Sequence, residues 1–134
     1  NNIANALSQD TKYANLTRQL KEAGLLDRLN QPGNFTIFAP TNQAFEALPK
    51  DVFNKLSQPN NRLKVLNYHL VNRLITEQDI KKGSITTAEG TPIKITVDSE
   101  DTVKLNDAIG QHPSTLAKNG VIIEVDKVLI PKEF

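Results

Sequence analysis

Phe35-Thr36-Ile37-Phe38-Ala39-Pro40-Thr41-Asn42-Gln43-Ala44-Phe45 is the stretch on which the fold turns. Its first five residues are aromatic, β-branched or small and carry no charge. A turn, Gln31-Pro32-Gly33-Asn34, precedes them, and together these signals predict a buried strand. Successive side chains of a strand point to opposite faces, so Phe35, Ile37 and Ala39 share one face and Thr36 and Phe38 the other. Pro40 has no N–H to give to a ladder and stops the strand. Thr41 or Asn42 then offers a side-chain oxygen to the free N–H groups of a new helical turn. That turn carries Ala44 and Phe45 inward, and Pro49 closes it.

Upstream, Asp10-Thr11 predicts the start of a helix reaching about Ala23, with Leu16, Leu20 and Ala23 at helical spacing and Gly24 as its stop. Leu25, Leu26 and Leu29 form a second short stripe. Downstream, Val52, Phe53 and Leu56 mark a further short helix, and a longer one is expected from about Asn60 to His69. After Leu70 the texture changes. Val71 to Ile75 reads as extended, and Glu77 to Ile80 as a turn or helical bend. Ile93, Ile95 and Val97 alternate with Lys94 and Thr96 at strand period. A hairpin turn over Asp98-Ser99-Glu100-Asp101 leads to Val103-Lys104-Leu105, and Asn119-Gly120 opens a last strand region through Ile130. Asp126 falls inside that apolar run and is expected to be a buried bracket held by backbone N–H groups of a neighbouring loop. Helices come first and strands later, without regular alternation. This predicts an α+β fold rather than a doubly wound sheet.

The chain has 134 residues, which suits a single domain over 1–134. Apolar residues make up 38% and charged residues 23%, a balance that excludes a disordered tail. The net charge of +1 gives no clustered basic surface for nucleic acid, and its closeness to zero permits weak self-association. With no cysteine, disulfides, thiol catalysis and Cys-ligated metals are excluded. Two histidines, His69 and His112, cannot build a His-rich metal site. No apolar run approaches the roughly 20 residues of a membrane span. The chain opens on Asn1 rather than Met, so a processed or trimmed start is expected, with any signal peptide or anchor outside it.

No nucleophile elbow, phosphate loop, metalloprotease motif or EF-hand loop occurs. His112-Pro113-Ser114 lacks triad geometry, and Asp98, Glu100 and Asp101 read as a solvated hairpin tip rather than a calcium site. Glu46, His69, Asp79 and Asp126 are the only groups worth testing for catalysis. The expectation is no enzyme, no cofactor and no metal.

Three elements together resemble the fasciclin-like domain family. Phe35 to Phe45 is similar to its first signature, Asn67-Tyr68-His69 to its central Tyr-His element, and Asn119-Gly120-Val121-Ile122-Ile123-Glu124-Val125-Asp126-Lys127-Val128-Leu129-Ile130-Pro131 to its closing signature. They stand in the family's order and span residues 35 to 131. Ile123 departs from the pattern, because the family often has a polar residue there. The resemblance implies a β-rich core, a wedge or sandwich of strands flanked by several short helices, with a helical N-terminal half. Phe35, Phe38, Pro40, Thr41, Asn42, Phe45, Asn119, Gly120 and Asp126 are then fold-building parts.

The resemblance also implies an extracellular, periplasmic or cell-surface module for adhesion, secreted or displayed, that binds proteins or glycans of the cell surface or matrix. Some animal members are held to engage integrins through an Asp-Ile pair just after the Tyr-His element, and Asp79-Ile80 stands at that place. Tyr68, His69, Asp79 and Ile80 are therefore the candidate partner-binding residues. Two readings of the pair stay open: an exposed carboxylate beside an exposed apolar anchor, or a helix cap with Ile80 packed inward. The alternative function is a carrier of an apolar small molecule such as a carotenoid or lipid.

Overall fold

In the computed structural model, which describes residues 2–97, 103–106, 108–110 and 115–130, strand β1 (Phe35–Pro40) is the pivot of the molecule. Helices α1 (Ile3–Gln9) and α2 (Ala14–Glu22) precede it, separated by a tight turn at Thr11–Tyr13. Helices α3 (Asn42–Glu46), α4 (Lys50–Leu56) and α5 (Pro59–Tyr68) follow, then β2 (Leu70–Val71) and α6 (Glu77–Lys82). The second half is β-rich: β3 (Ser84–Thr86), β4 (Pro92–Val97), β5 (Val103–Leu105), β6 (Ala108–Gly110), β7 (Thr115–Ala117) and β8 (Gly120–Val125).

The strands form one sheet in the order β2-β1-β8-β6-β5-β4-β3, with β7 beside β8. Its centre is a parallel pair, in register from Phe35 opposite Gly120 to Pro40 opposite Val125. Every other pairing among the described residues is antiparallel. The far edge of β8 is shared, its first half by β7 and its end by β6. The sheet is nearly closed, because Ala88 N–H, just past β3, donates to Leu70 O of β2 at 2.7 Å. Such closure leaves little unpaired edge.

β1 keeps the alternation expected of it. Ile37 and Ala39 join a core with Ile3, Leu7, Leu16, Leu20 and Phe45, between the helices and the sheet. Phe38 enters a second core on the opposite face, with Val71, Ile85, Ile93, Ile95, Leu105 and Val125. A strand buried on both faces is the usual condition of a parallel pair. Each fully buried aliphatic or aromatic side chain contributes about 1.5–3 kcal/mol relative to exposure.

One side chain ties the two halves. Asn119, in the two-residue loop between β7 and β8, is buried. Its Nδ2 donates to Leu29 O at 2.6 Å and to Gln31 O at 2.8 Å. Its Oδ1 accepts from Ile3 N–H at the start of α1 at 2.9 Å. Its own carbonyl accepts from Phe35 N–H at 2.8 Å. Asn119→Ala strands two buried backbone groups and a partly buried third, so chemical denaturation is expected to show a loss of about 3 kcal/mol. Asn119→Asp should cost at least as much, since a carboxylate would face the two carbonyls. A loss below about 1 kcal/mol in both variants would refute this role.

Several boundaries differ from the sequence reading. The helix expected from Asp10 starts at Ala14, because Asp10 instead caps the tight turn, accepting from Lys12 N–H at 3.2 Å. Helix α1, capped by Asn2, which accepts from Asn5 N–H at 2.8 Å, was not anticipated. Phe53, one of the residues that mark α4, is exposed, and so is Leu63 of α5. The extended segment from Val71 stops at once, and Asn72 and Arg73 bend away. The last strand ends at Val125, where its partner ends at Pro40, a residue with no N–H to offer. Asp126 is therefore exposed beyond the strand rather than buried within it. It still brackets a neighbour: its Oδ1 accepts from Ile109 N–H of β6 at 2.8 Å. The expected hairpin tip at 98–101 and His112-Pro113-Ser114 lie outside the described residues.

Candidate partner-binding face

Helix α5 ends on Tyr68, and His69 follows as its cap residue. Both are buried. His69 Nδ1–H donates to Val65 O at 2.7 Å, and Nε2 accepts from Leu129 N–H at 2.8 Å. A backbone acceptor on one nitrogen and a backbone donor on the other specify the neutral Nδ1–H tautomer. Burial lowers its pKa to about 4, against a smaller opposing effect of the Val65 carbonyl. His69 thus clamps the segment after β8 onto the end of α5. The Tyr68 hydroxyl accepts from Asn106 Nδ2 at 2.9 Å. The structure buries both rings, His69 against the segment after β8 and Tyr68 with its hydroxyl at Asn106.

The Asp79-Ile80 pair divides between the two readings left open for it. Asp79 is buried and committed. Its Oδ2 accepts from Thr76 N–H at 2.9 Å, while Thr76 Oγ1 accepts from Asp79 N–H at 3.3 Å, a reciprocal cap at the start of α6. The Arg73 guanidinium grips the same carboxylate with both ends, at 2.5 and 2.7 Å. That grip, aided by the Thr76 N–H, holds the carboxyl well below the usual carboxylate range. Gly83 terminates α6 in the left-handed conformation, φ 83°, its N–H returning to Asp79 O at 3.0 Å. Ile80 does not pack inward: it is 37% exposed.

Arg73 and its neighbour Leu74 carry no signal in the sequence, because Arg73 meets Asp79 only after the chain turns between β2 and α6. Thr36 of β1 fixes that turn, its hydroxyl donating to Arg73 O at 3.0 Å. Leu74 is 40% exposed, and the Arg73 side chain about half exposed. Two exposed aliphatic side chains and a partly open guanidinium therefore stand on one short loop-and-helix unit.

The first signature's polar pair also splits. Thr41 caps α3, accepting from Ala44 N–H at 3.4 Å. Asn42 instead cross-links α3 to α2: its Oδ1 accepts from Asn15 N–H at 2.9 Å and its Nδ2 donates to Thr11 O at 2.8 Å. An open polar groove lies beside them, lined by Thr11, Lys12, Thr41, Gln43, Glu124 and Asp126. Its cation and one of its acids are already matched, Lys12 Nζ to Glu124 Oε1 at 2.8 Å.

Of the four groups weighed for catalysis, His69 and Asp79 are engaged within the fold, and Glu46 and Asp126 are exposed on other elements. Among the described residues no group of three His, Asp or Glu side chains gathers as for a metal ion. No described helix is long and apolar enough to cross a membrane.

A helix-flanked, nearly closed β wedge with a parallel β1–β8 centre, an Asn-Tyr-His helix end clamped beneath it and a reciprocal Thr-Asp cap beside it defines the class. The Fasciclin domain model matches residues 11–131, and the chain belongs to the fasciclin family. It is 33% identical over 132 residues to Protein sll1483 of Synechocystis sp., covering 96% of this chain and 73% of that protein. It is 33% identical to protein sll1735 of the same organism, over 96% of this chain and 97% of that one. To transforming growth factor-beta-induced protein ig-h3 of Sus scrofa it is 32% identical over 98% of this chain, but spans only 20% of that protein. Among solved structures, the FAS1 domain pair of the insect cell adhesion molecule Fasciclin I superposes with a TM-score of 0.80 at 20% identity, over 98% of this chain and 51% of that one. That likeness establishes the fold alone.

Proposed function

We propose that this domain is a non-catalytic adhesion or protein-binding module that works outside the cytoplasm, in the periplasm, in the matrix or at the cell surface. The observation that carries the reading is membership of the fasciclin family, in a fold shared with a named cell adhesion molecule. Its contact face is the unit between β2 and α6. Ile80 and Leu74 supply apolar anchors, the open side of Arg73 supplies a directional charge, and Asp79 holds the three in place. The partner is a protein of the cell surface or matrix.

Beads coated with the domain, incubated with the source organism's envelope or matrix, test this. Saturable binding is expected, weakened about tenfold or more by Ile80→Asp and Leu74→Asp, as for anchors at an interface centre. Both substitutions sit on exposed positions and should leave the thermal melt nearly unchanged. Absence of binding at micromolar concentration would overturn the adhesion reading. Binding kept in both variants would move the contact elsewhere.

A further inference from the structure

A cavity of about 510 Å³ opens between the β3–β4 hairpin, the turn at Asn106 and the segment after β8. That volume lies within the range of small-molecule sites, about 300–1,000 Å³. Its lining includes Tyr68, Ser84, Pro92, Lys94, Asn106 and Ile130, and no Asp or Glu among the described residues. Lys94 is the charged residue of that lining among the described residues, and most of its wall is apolar.

The polar end of the cavity is built and held. Asn106 stands at φ 58°, in the left-handed region that non-glycine residues seldom occupy. Three hydrogen bonds fix it there. Its N–H donates to Lys94 O at 2.8 Å, its Oδ1 accepts from Lys94 N–H at 3.0 Å, and its Nδ2 donates to the Tyr68 hydroxyl at 2.9 Å. The last bond occupies the phenol oxygen as an acceptor and leaves its proton to find another group. Among the described residues that proton has only Pro92 O, at 3.4 Å, far longer than the roughly 2.7–2.8 Å of a good O–H···O bond. Tyr68 is 4% exposed, so this donor has left water without gaining a full partner. A buried, under-used hydroxyl donor and a lysine therefore line one cavity with an apolar wall. The ligand they fit has an anionic oxygen at one end and hydrocarbon behind it.

We propose that this cavity binds an apolar monocarboxylate of the fatty-acid class. The Tyr68 hydroxyl and the Lys94 ammonium take the carboxylate, and the chain lies against Pro92 and Ile130. Its lining shares no residue with the face around Leu74 and Ile80, and the proposal does not rest on the adhesion reading.

The test is an amide-resolved NMR titration with decanoate at pH 8, below its micelle concentration, beside the same titration with decanol. Decanoate should saturate at one equivalent and shift the amides of Ser84, Lys94 and Asn106. Decanol should bind about tenfold more weakly, the worth of a hydrogen bond to a charged group. Lys94→Gln, at an exposed position, should lose a similar factor for decanoate with an unchanged melt. Tyr68→Phe should weaken decanoate more than decanol, since a carboxylate accepts the stronger bond; should that variant misfold, Lys94→Gln alone decides. Failure to saturate, shifts confined to other surfaces, or equal affinity for decanoate and decanol would each overturn the proposal.

Discussion

Gly120→Ala is expected to lose about 4 kcal/mol of stability or to prevent the folded domain from accumulating. Gly120 faces Phe35 at the first rung of the parallel ladder. A Cβ placed on it would lie 1.9 Å from Phe35 O and 2.7 Å from Phe35 C, with Ile3 Cδ1 at 2.8 Å. Two of these neighbours are backbone atoms of β1, so they cannot turn aside as a flexible side chain would. The methyl group would have to push β8 away from β1, opening both cores at their shared strand. Gly24 supplies the control. It has a positive φ of 78° but nothing within 4 Å of its would-be Cβ. Gly24→Ala should therefore cost only about 1 kcal/mol, the penalty for a left-handed non-glycine residue. Urea denaturation of the two variants decides the matter: equal losses would mean that the close approach of β8 to β1 is not a constraint on the fold.

Acidification from pH 6.5 to pH 4 is expected to remove about 3 kcal/mol through His69 alone. The buried ring accepts from Leu129 N–H through Nε2, and protonation would set one N–H against another. Its folded pKa is lowered to about 4, from an unfolded value of 6.5. The unfolded chain thus takes up the proton first. The stabilisation is complete above pH 6.5, falls as pH drops from 6.5 to 4, and declines no further below that. Asp79 acts in a different window. Its carboxyl is held low, chiefly by Arg73, so its contribution persists down to the usual carboxylate range and is lost only below it. Unfolding free energies at half-unit pH steps, together with the His69 ring signal by NMR, check this. A flat profile between pH 6.5 and 4, or a His69 ring that titrates near 6.5 in the folded protein, would exclude the clamp.

What could be read from the residues was what local rules govern. The two faces of β1 followed from alternation, and a cap at Thr41 or Asn42 from two polar side chains placed before an apolar turn; the structure gives the cap to Thr41. The three signature stretches each became a structural joint: β1 with α3, the end of α5, and β8 with its flanking loop. Helix α1 offered a weak signal, Asn2 as cap with Ile3, Ala4 and Leu7 on one side. Seven residues are too few for helical preference to decide without tertiary packing. β6 and β7, three residues each, are too short to show a period. The pairing of β1 with β8 lies beyond local rules altogether.

The candidate face was half legible for the same reason. Asp79 and Ile80 were marked by resemblance, but whether each faced in or out depended on Arg73, six positions away across a turn. A carboxylate with a guanidinium within reach becomes part of the scaffold, and the apolar neighbour is left to face the solvent. Asp126 was misjudged because its strand was taken to run on to Ile130, whereas the proline in the partner strand ends the ladder at Val125.

The parallel ladder at the centre has one further consequence, for the order in which the molecule is made. Phe35 meets Gly120, so the middle of the sheet joins an early part of the chain to one of its last. Closing so long a loop costs chain entropy before any rung returns it, and folds dominated by such pairings are slow to form. During synthesis β1 emerges long before β8, with only the two rungs of β2 to cover one edge. Until the closing signature has been translated, its other edge stays open to any strand that passes, its own sister chains included.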